Sequence, residues 1–350
     1  MLFKYIKRIA LILAGALLLL IIWGAGIEPR LVDLREETAS VPNLPKNWEN
    51  KRIALIADLQ IGMWLGNEDT VKKIVNRIIE ERPAAVLVAG DFVYKPTDED
   101  NPQDVEREDA ADFMTEVNES VALLRPLREA GIPVYAVLGN HDYGMNYPDS
   151  VKNERIAAAV RQKLESAGVN VLDNSAVPLV QSEANGRQNN QEATTDAMNL
   201  YIVGIGSHYA NNAKPEAALS QVPDHAPRII FMHNPDPFAA FPANSAPLVL
   251  AGHTHGGQIR IPFTEDWSWM TLMTAEKIQA DGWIDGGFGQ PGNRLYVNRG
   301  IGFSSFPVRI NCRPELTIFT LRGGNCAGRR DHLLQRGISF GILKYKILIG

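Results

Sequence analysis

Positions 9–27 are filled by apolar and small residues without a single charge among them. At 1.5 Å rise per residue a helix of that length reaches roughly 28 Å, close to the hydrocarbon thickness of a bilayer. The run is apolar on every face, whereas a helix packed on a soluble core keeps one polar face. It also exceeds the roughly 7–15 residues of a signal-peptide core. An uncleaved transmembrane anchor over residues 1–27 is expected, with processing at Gly24-Ala25-Gly26 as the alternative.

Beyond it the pattern changes. Residues 28–50 carry Pro29, Pro42 and Pro45 among mixed charges and read as a short stalk with a lead-in strand. Short apolar runs then alternate with helical spacing. Ile53-Ala54-Leu55-Ile56 is strand-like, and Val71, Ile74, Val75, Ile78 and Ile79 repeat with a helical period that closes before Pro83. Residues 84–89 predict a buried strand, 110–130 and 151–167 helices, and 134–138 and 199–204 further strands. The later segments 228–232, 248–251, 258–261, 295–298 and 316–321 are all strand-like. Helices early and strands late suit two sheets flanked by helices better than a simple doubly wound sheet. No internal repeat is visible. The expected division is an anchor (1–27), a stalk (28–50), one catalytic domain (51–322) and a tail (323–350).

The chemistry sits where the apolar runs stop. Asp58-Leu59-Gln60, Gly90-Asp91, Gly139-Asn140-His141-Asp142, His233-Asn234 and Gly252-His253-Thr254-His255 each follow such a run, so each donor group falls at the end of a strand. Two divalent ions roughly 3.5–4 Å apart can share a water, lower its pKa and clamp both oxygens of an in-line displacement at phosphorus. Holding them takes one carboxylate able to reach both ions, ringed by carboxylate, amide and imidazole. Asp91 is the natural bridge. Such a ligand set suits Zn, Mn and Fe.

These strings resemble the calcineurin-like metallophosphoesterase family, from about Lys51 to Leu321. The resemblance implies a four-layer αββα sandwich, an α/β fold, here behind an N-terminal transmembrane helix. It implies one metal on Asp58, Asp91 and His255 and a second on Asp91, Asn140, His233 and His253. His141 matches a non-ligand histidine that contacts the phosphate and assists the leaving group, and Asp142 matches the residue that orients it. The stretches around His233 and His253, with Val297-Asn298-Arg299-Gly300-Ile301-Gly302, look most like the bacterial membrane-associated branch. That branch cleaves phosphodiester or pyrophosphate bonds and includes UDP-diacylglucosamine pyrophosphatases.

One position departs from the common Asp-x-His pattern: Gln60 stands where a histidine is usual. Its amide oxygen either joins the first metal, favouring Mn²⁺ or Mg²⁺ over an imidazole-rich preference, or binds a water beside it. Some manganese-dependent branches share this form. Two divalent metals are therefore expected as cofactors, manganese first, with Zn, Fe or Mg as alternatives. A metal-free scaffold on the same fold is the non-enzymatic alternative, but the other six ligand positions are all present.

Charge narrows the partners. Of 350 residues 45% are hydrophobic and 21% charged, with a formal net charge of −5 and no basic stretch beyond the N-terminus. A nucleic-acid backbone would be met by a positive face, so no nucleic-acid partner is expected. Lys4, Lys7 and Arg8 precede the apolar run, while Arg30 and Arg35 follow it among acidic residues, which by the positive-inside rule leaves the N-terminus cytoplasmic and the catalytic domain outside. Cys312 and Cys326 form a disulfide or stay free thiols, and neither has metal-ligand spacing.

The acidic run 97–109 and the polar run 181–199 read as surface loops. Residues 265–292 differ, because Trp267, Trp269, Met270, Leu272, Met273, Trp283 and Phe288 load a loop beyond His255. They either pack under it, receive an acyl chain or base, or meet a bilayer interface. Gly287-Phe288-Gly289-Gln290-Pro291-Gly292 is read as a turn, not a dinucleotide fingerprint, and His208, His225 and His332 as ordinary histidines. The apolar residues of 338–349 are too short to span a membrane.

The expected function is a membrane-tethered, metal-dependent phosphoric ester hydrolase acting on a phosphodiester or pyrophosphate, with a lipid-linked substrate of the UDP-2,3-diacylglucosamine type. Lipid A synthesis would need that site to be cytoplasmic, against the charge distribution. A soluble nucleotide or periplasmic phosphodiester is the enzymatic alternative.

Overall fold

The computed structural model describes residues 2–94, 108–179, 199–261, 267–269, 271, 281–284, 287–304 and 306–324. Helix α1 (Leu2–Ile21) buries none of its residues and continues through a π turn (Ile22–Ile27) into a 3-10 turn (Glu28–Arg30). There follow β1 (Asp33–Val41), β2 (Arg52–Ile56), α2 (Glu68–Glu81), β3 (Ala85–Ala89), α3 (Glu108–Glu129), β4 (Val134–Val137), α4 (Glu154–Ser166) and β5 (Asn170–Val171). The second half holds β6 (Ser175–Leu179), β7 (Leu200–Gly204), α5 (Pro215–Leu219), β8 (Arg228–Phe231), β9 (Val249–Ala251), β10 (Gly282–Trp283), β11 (Leu295–Val297) and β12 (Glu315–Gly323).

Local chemistry sets these boundaries. Glu68 and Asp69 lie in the first turn of α2, where carboxylates favour the positive end of the helix dipole, and Arg82 ends it in the left-handed region at φ 48°. Asn153 caps α4 by accepting from the backbone N–H groups of Arg155 at 3.1 Å and Ile156 at 3.2 Å.

The strands form two six-stranded sheets, ordered β1-β12-β2-β3-β4-β5 and β10-β11-β9-β8-β7-β6. Side-chain alternation divides each between two cores. Ala54, Ile56, Val86, Val88 and Ala136 face α2, α3 and α4. Ile53, Leu55, Leu87, Val137, Ile202, Phe231, Leu250 and Phe319 fill the space between the sheets. Val203, Ile230, Val249 and Val297 lie on the far side of the second sheet with Ala218, Phe238 and Phe241. The expected αββα layering is present, with a light fourth layer: among the described residues, the short α5 and the 3-10 turn Asp236–Ala240.

Two readings change. Residues 258–261 form no strand: Ile259 and Arg260 make single bridges to Ile310 and Ser268, because Gln258 (φ 58°) follows two left-handed glycines and breaks the extended path. The strand expected within the stalk, β1, is built into the first sheet, pairing parallel with β12 over its whole length. The short strands β5 and β10 and helix α5 were not foreseen. Residues 287–292 do turn, with Gly287, Gly289 and Gly292 at positive φ. Cys312 is a buried free thiol; Cys326, His332, the runs at 97–107 and 181–198, and the tail from 325 lie outside the described residues.

The inter-sheet core supplies a test. Phe319 is fully buried and meets Tyr296 edge to face, ring centroids 5.0 Å apart. Phe319→Ala should cost about 3–5 kcal/mol of unfolding free energy in a urea titration in detergent. A loss below 1 kcal/mol on the order of a surface substitution would show that the two sheets do not pack through this ring.

Candidate metal centre

Strands β2, β3 and β4 run parallel in one sheet, and β7, β8, β9 and β11 in the other, so their carboxyl ends gather at one edge of the sandwich. Ligand sites in open α/β sheets form in that position. Asp58 and Gln60 follow β2, Asp91 follows β3, Asn140, His141 and Asp142 follow β4, His233 follows β8, and His253 and His255 follow β9. A recess of 700 Å³ lined by Lys51, Arg52, Arg82 and Gly131 lies by the amino ends of β2, β3 and β4 and offers no carboxylate or imidazole.

The backbone pays for this convergence in strain. Asp58, Gln60, Asp91, His253 and His255 all have positive φ, between 43° and 73°, a region that few non-glycine residues occupy. The glycines beside them permit close approach. A Cβ on Gly90 (φ 83°) would lie 2.7 Å from the Gly139 nitrogen and 2.8 Å from His233 Nδ1. One on Gly252 would meet the Ala57 Cβ at 2.5 Å and Asp58 Oδ2 at 2.9 Å. That is the physical content of the Gly-Asp and Gly-His strings.

Lone pairs crowd at the centre. His233 Nδ1 donates to the Ala89 carbonyl at 2.8 Å, which leaves Nε2 facing Asn140 Oδ1 at 3.0 Å, Asp91 Oδ2 at 3.1 Å and His253 Nδ1 at 3.1 Å. Asn140 Nδ2 donates to the Met145 carbonyl at 2.7 Å, so its oxygen is the atom presented inward. Asp91, His233 and His253 place their donor atoms within 4.8 Å of one another. Asp58 accepts the His253 backbone N–H at 3.1 Å, and its Oδ1 lies 3.9 Å from His255 Nε2. The structure thus brings together Asp58, Gln60, Asp91, Asn140, His233, His253 and His255, all from one expected set.

These donors fit a divalent cation. Gln60 Oε1 and His255 Nδ1 are buried without a hydrogen-bond partner, and Gln60 Nε2 stands 3.4 Å from Asp91 Oδ2. Acceptors meeting at hydrogen-bond distance with no donor between them are repulsive unless a proton or a cation intervenes. In the metal-free chain protons take that role. Burial would lower His233, but Asp91 outweighs it and pushes the imidazole up to about 9. Burial would raise Asp91, but His233 and then His141 hold it well below the carboxylate range. Burial and the His233 charge lower His253 to about 3, and burial with the Arg309 charge lowers His255 well below its usual value. Burial raises Asp58 to about 7 against the opposing His233. His253 and His255 are thus neutral beside the ionised Asp91, whereas His233 would have to give up its proton to a metal.

Asp142, expected to orient His141, is engaged by the backbone of neighbouring loops. Asp142 accepts the backbone N–H groups of Gly139 at 2.8 Å, Phe92 at 2.9 Å and Asp91 at 3.0 Å. Its carboxylate therefore clips the β3 and β4 loops together through three backbone N–H groups. Burial, then the charge of Asp91, raises it to about 7. His141 is held instead by the Tyr94 carbonyl at Nδ1, by stacking on the Tyr94 ring at 5.8 Å, and by its own N–H donated to Asp91 Oδ1 at 2.9 Å.

Several residues at the centre escaped the sequence reading. Tyr209 sets its ring edge to face against His253 at 4.8 Å, and exposed His208, read as ordinary, sits beside it at 6.3 Å with its N–H on Asn234 Oδ1. Arg309, fully buried, spans the carbonyls of Gly302 at 2.7 Å, Arg299 at 2.9 Å and Cys312 at 3.2 Å, with His255 at 3.5 Å. A lone arginine between Val308 and Ile310 was its visible signal. His225 lies on a turn away from these loops, its carbonyl on Asn43 Nδ2.

A family model described as calcineurin-like phosphoesterase matches residues 51–257. An uncharacterized metallophosphoesterase of Bacillus subtilis, YkuE, is 27% identical over 85% of this chain and 88% of its own. The phosphodiesterase YaeI of Escherichia coli is 29% identical over 69% of this chain and 72% of its own. The UDP-2,3-diacylglucosamine pyrophosphatase LpxG of Chlamydia muridarum is 26% identical over 85% of this chain and 91% of its own.

The clip made by Asp142 can be measured directly. In Asp142→Asn one carboxylate oxygen becomes an amide that opposes a backbone N–H donor, so unfolding free energy should fall by about 1–3 kcal/mol. Denaturant titration of metal-free protein at pH 8 reads this, and an unchanged midpoint would refute the clip.

Proposed function

Because the chain belongs to the calcineurin-like phosphoesterase family, we propose that it is a membrane-tethered hydrolase of a phosphodiester or pyrophosphate bond in a lipid-linked substrate. The observation that carries the reading is the convergence of Asp91 Oδ2, Asn140 Oδ1 and His253 Nδ1 on His233 Nε2 at 3.0–3.1 Å, a donor set for which a divalent cation is the natural occupant.

We assign Asp58, Asp91 and His255 to one ion, with Gln60 completing it, and Asp91, Asn140, His233 and His253 to the other. The chemistry supplied by divalent ions so held is polarisation of the phosphoryl group and acidification of the attacking water. The protein does the rest. Asp91 is shared, and the Ala89 carbonyl fixes which nitrogen His233 presents. His141, with Nδ1 on the Tyr94 carbonyl, offers Nε2 to a phosphoryl oxygen or leaving group. Asp142 holds the loops that set these distances. Gln60 gives the first site an oxygen in place of an imidazole, which supports manganese as its metal.

Support for the tether is α1, a 20-residue helix with no buried residue. Retention of this segment is supported by contacts at its end: the Gly24 carbonyl accepts from the Arg309 N–H at 2.8 Å, and Trp23 Nε1 donates to Glu28 at 2.5 Å. Cleavage at 24–26 would sever them. The name of LpxG supports a diacylated nucleotide sugar, and that of YaeI a broader phosphodiester class. Lys4, Lys7 and Arg8 before the apolar run favour a domain outside the cytoplasm, and with it an extracytoplasmic phosphodiester.

The test uses bis-p-nitrophenyl phosphate with and without Mn²⁺. Chelation should abolish hydrolysis and Mn²⁺ restore it. Asp91→Asn should lose both activity and metal after dialysis, while His141→Ala should lose a factor of about 10²–10⁴ in rate and keep its metal. Equal metal loss in the two variants would refute the assignment, and Mn²⁺-independent inactivity of the native chain would favour a scaffold.

Gln60 gives a separate prediction. Gln60→His should shift the metal affinity of apo protein toward Zn²⁺ or Fe²⁺ with the fold retained. Identical affinities for each metal in both forms would leave Gln60 as a water-binding residue.

A further inference from the structure

The end of α1 is seated on the catalytic body beside the metal-ligand loop. A Cβ on Gly24 would touch Ile310 Cγ1 at 2.8 Å and Val308 Cγ1 at 2.9 Å, so that turn lies flush against them. Buried Glu28 accepts the Cys312 N–H at 2.6 Å, and the Pro29 carbonyl accepts from Thr70 in α2 at 3.0 Å. Cys312 in turn points its thiol at the His255 carbonyl, 3.1 Å away. A helix held at three places cannot swing on its exit, so the face of the domain turned toward the apolar run is set by the fold.

That face continues outward. Ile310, against Gly24, bridges to Ile259, and the Trp269 N–H donates to the Ile259 carbonyl at 2.8 Å. Two such steps, at the spacing of neighbouring strands, put Trp269 roughly 10 Å from Ile310, the residue on which Gly24 rests. The Ile261 N–H donates to the Trp267 carbonyl at 3.0 Å, adding two more apolar residues. Ile261, Trp267 and Trp269 are 46%, 52% and 41% exposed, whereas Trp283 and Phe288 of the same stretch pack against the cores. The fold therefore divides these aromatics: some close the core, and those nearest the exit of α1 face outward. Tryptophan favours the water–lipid boundary, and an apolar face there lies about 5–10 Å deep.

We propose that Ile261, Trp267 and Trp269 form a bilayer-contact face that seats the His255 loop against the headgroup layer of the leaflet at which α1 ends. The occupant is a lipid surface, because the patch is continuous with the seat of a helix whose every described residue is exposed. The inference rests on α1 being a membrane anchor. It adds that the metal centre is presented to the bilayer, so a lipid-borne phosphoester would reach it without leaving the membrane.

The test uses the full chain with Cys326→Ser and one added cysteine, Trp269→Cys or, should that variant not fold, Trp267→Cys, labelled with NBD. Ala130→Cys at the opposite end of the domain is the control. In phosphatidylcholine–phosphatidylglycerol vesicles, brominated acyl chains should quench the label at 269 or 267 several-fold more than the label at 130. Equal quenching in protein that floats with the vesicles would overturn the contact face and leave the anchor intact. A label shielded from iodide but not quenched by bromolipid would assign the patch to another part of the chain or a second copy, against the proposal. Protein that fails to float would overturn the anchor and this inference with it.

Discussion

Everything at the centre follows from forcing lone pairs together. Carboxylate, amide and imidazole acceptors from both sheets meet at hydrogen-bond distance, and a proton on His233 or a cation must offset their repulsion. The rest of the protein resists that repulsion. Parallel strands aim their ends at one edge, glycines admit the backbones, five donor residues accept left-handed φ, and the Asp142 carboxylate ties neighbouring loops across three N–H groups. A cation placed there would relieve the repulsion that the empty site carries.

The donors were legible because each stands at the end of a short apolar run, and a strand end is a place that sequence marks clearly. The layering was legible for the same reason: buried strands of five residues between helical periods leave few architectures. What could not be read was contact across the chain. Asp142 and His141 are neighbours in sequence, which suggests a pair, yet the carboxylate turns to Gly139 and to the β3 loop some 50 residues earlier. Arg309, Tyr209 and His208 carry no local pattern, since their significance lies in which carbonyl or ring they meet. Strands of two residues such as β5 and β10 fall below any periodicity. Residues 258–261 show the opposite failure, an apolar alternation undone by left-handed backbone at its start.

A second buried polar system supports the centre from behind. Glu315, fully buried on β12, accepts from Tyr296 at 2.8 Å and pairs with Arg299 at 2.7 Å, while Arg299 also reaches Asp33 at the start of β1. Burial would lower Arg299, but Glu315 raises it, so the guanidinium keeps its charge. Removing one partner of such a pair is far costlier than removing both. The network joins β1, β11 and β12 and continues through the Arg299 carbonyl to Arg309 and so to the His255 loop. Through Cys312, which meets both Arg309 and Glu28, the segment after α1 and the His255 loop are parts of one polar scaffold.

The pairing of β12 between β1 and β2 has a consequence for synthesis. These two early strands are not hydrogen-bonded to each other; β12, the last strand among the described residues, enters between them, parallel to one and antiparallel to the other. In the first sheet β1 therefore stays apart from β2 to β5 until residues 315–323 have left the ribosome, long after the apolar start of the chain has emerged. Contacts of such sequence separation close slowly. The nascent protein thus passes through a period in which its first apolar segment has emerged but its catalytic half is unfinished, with the edges of β1 and β2 exposed to any partner strand nearby.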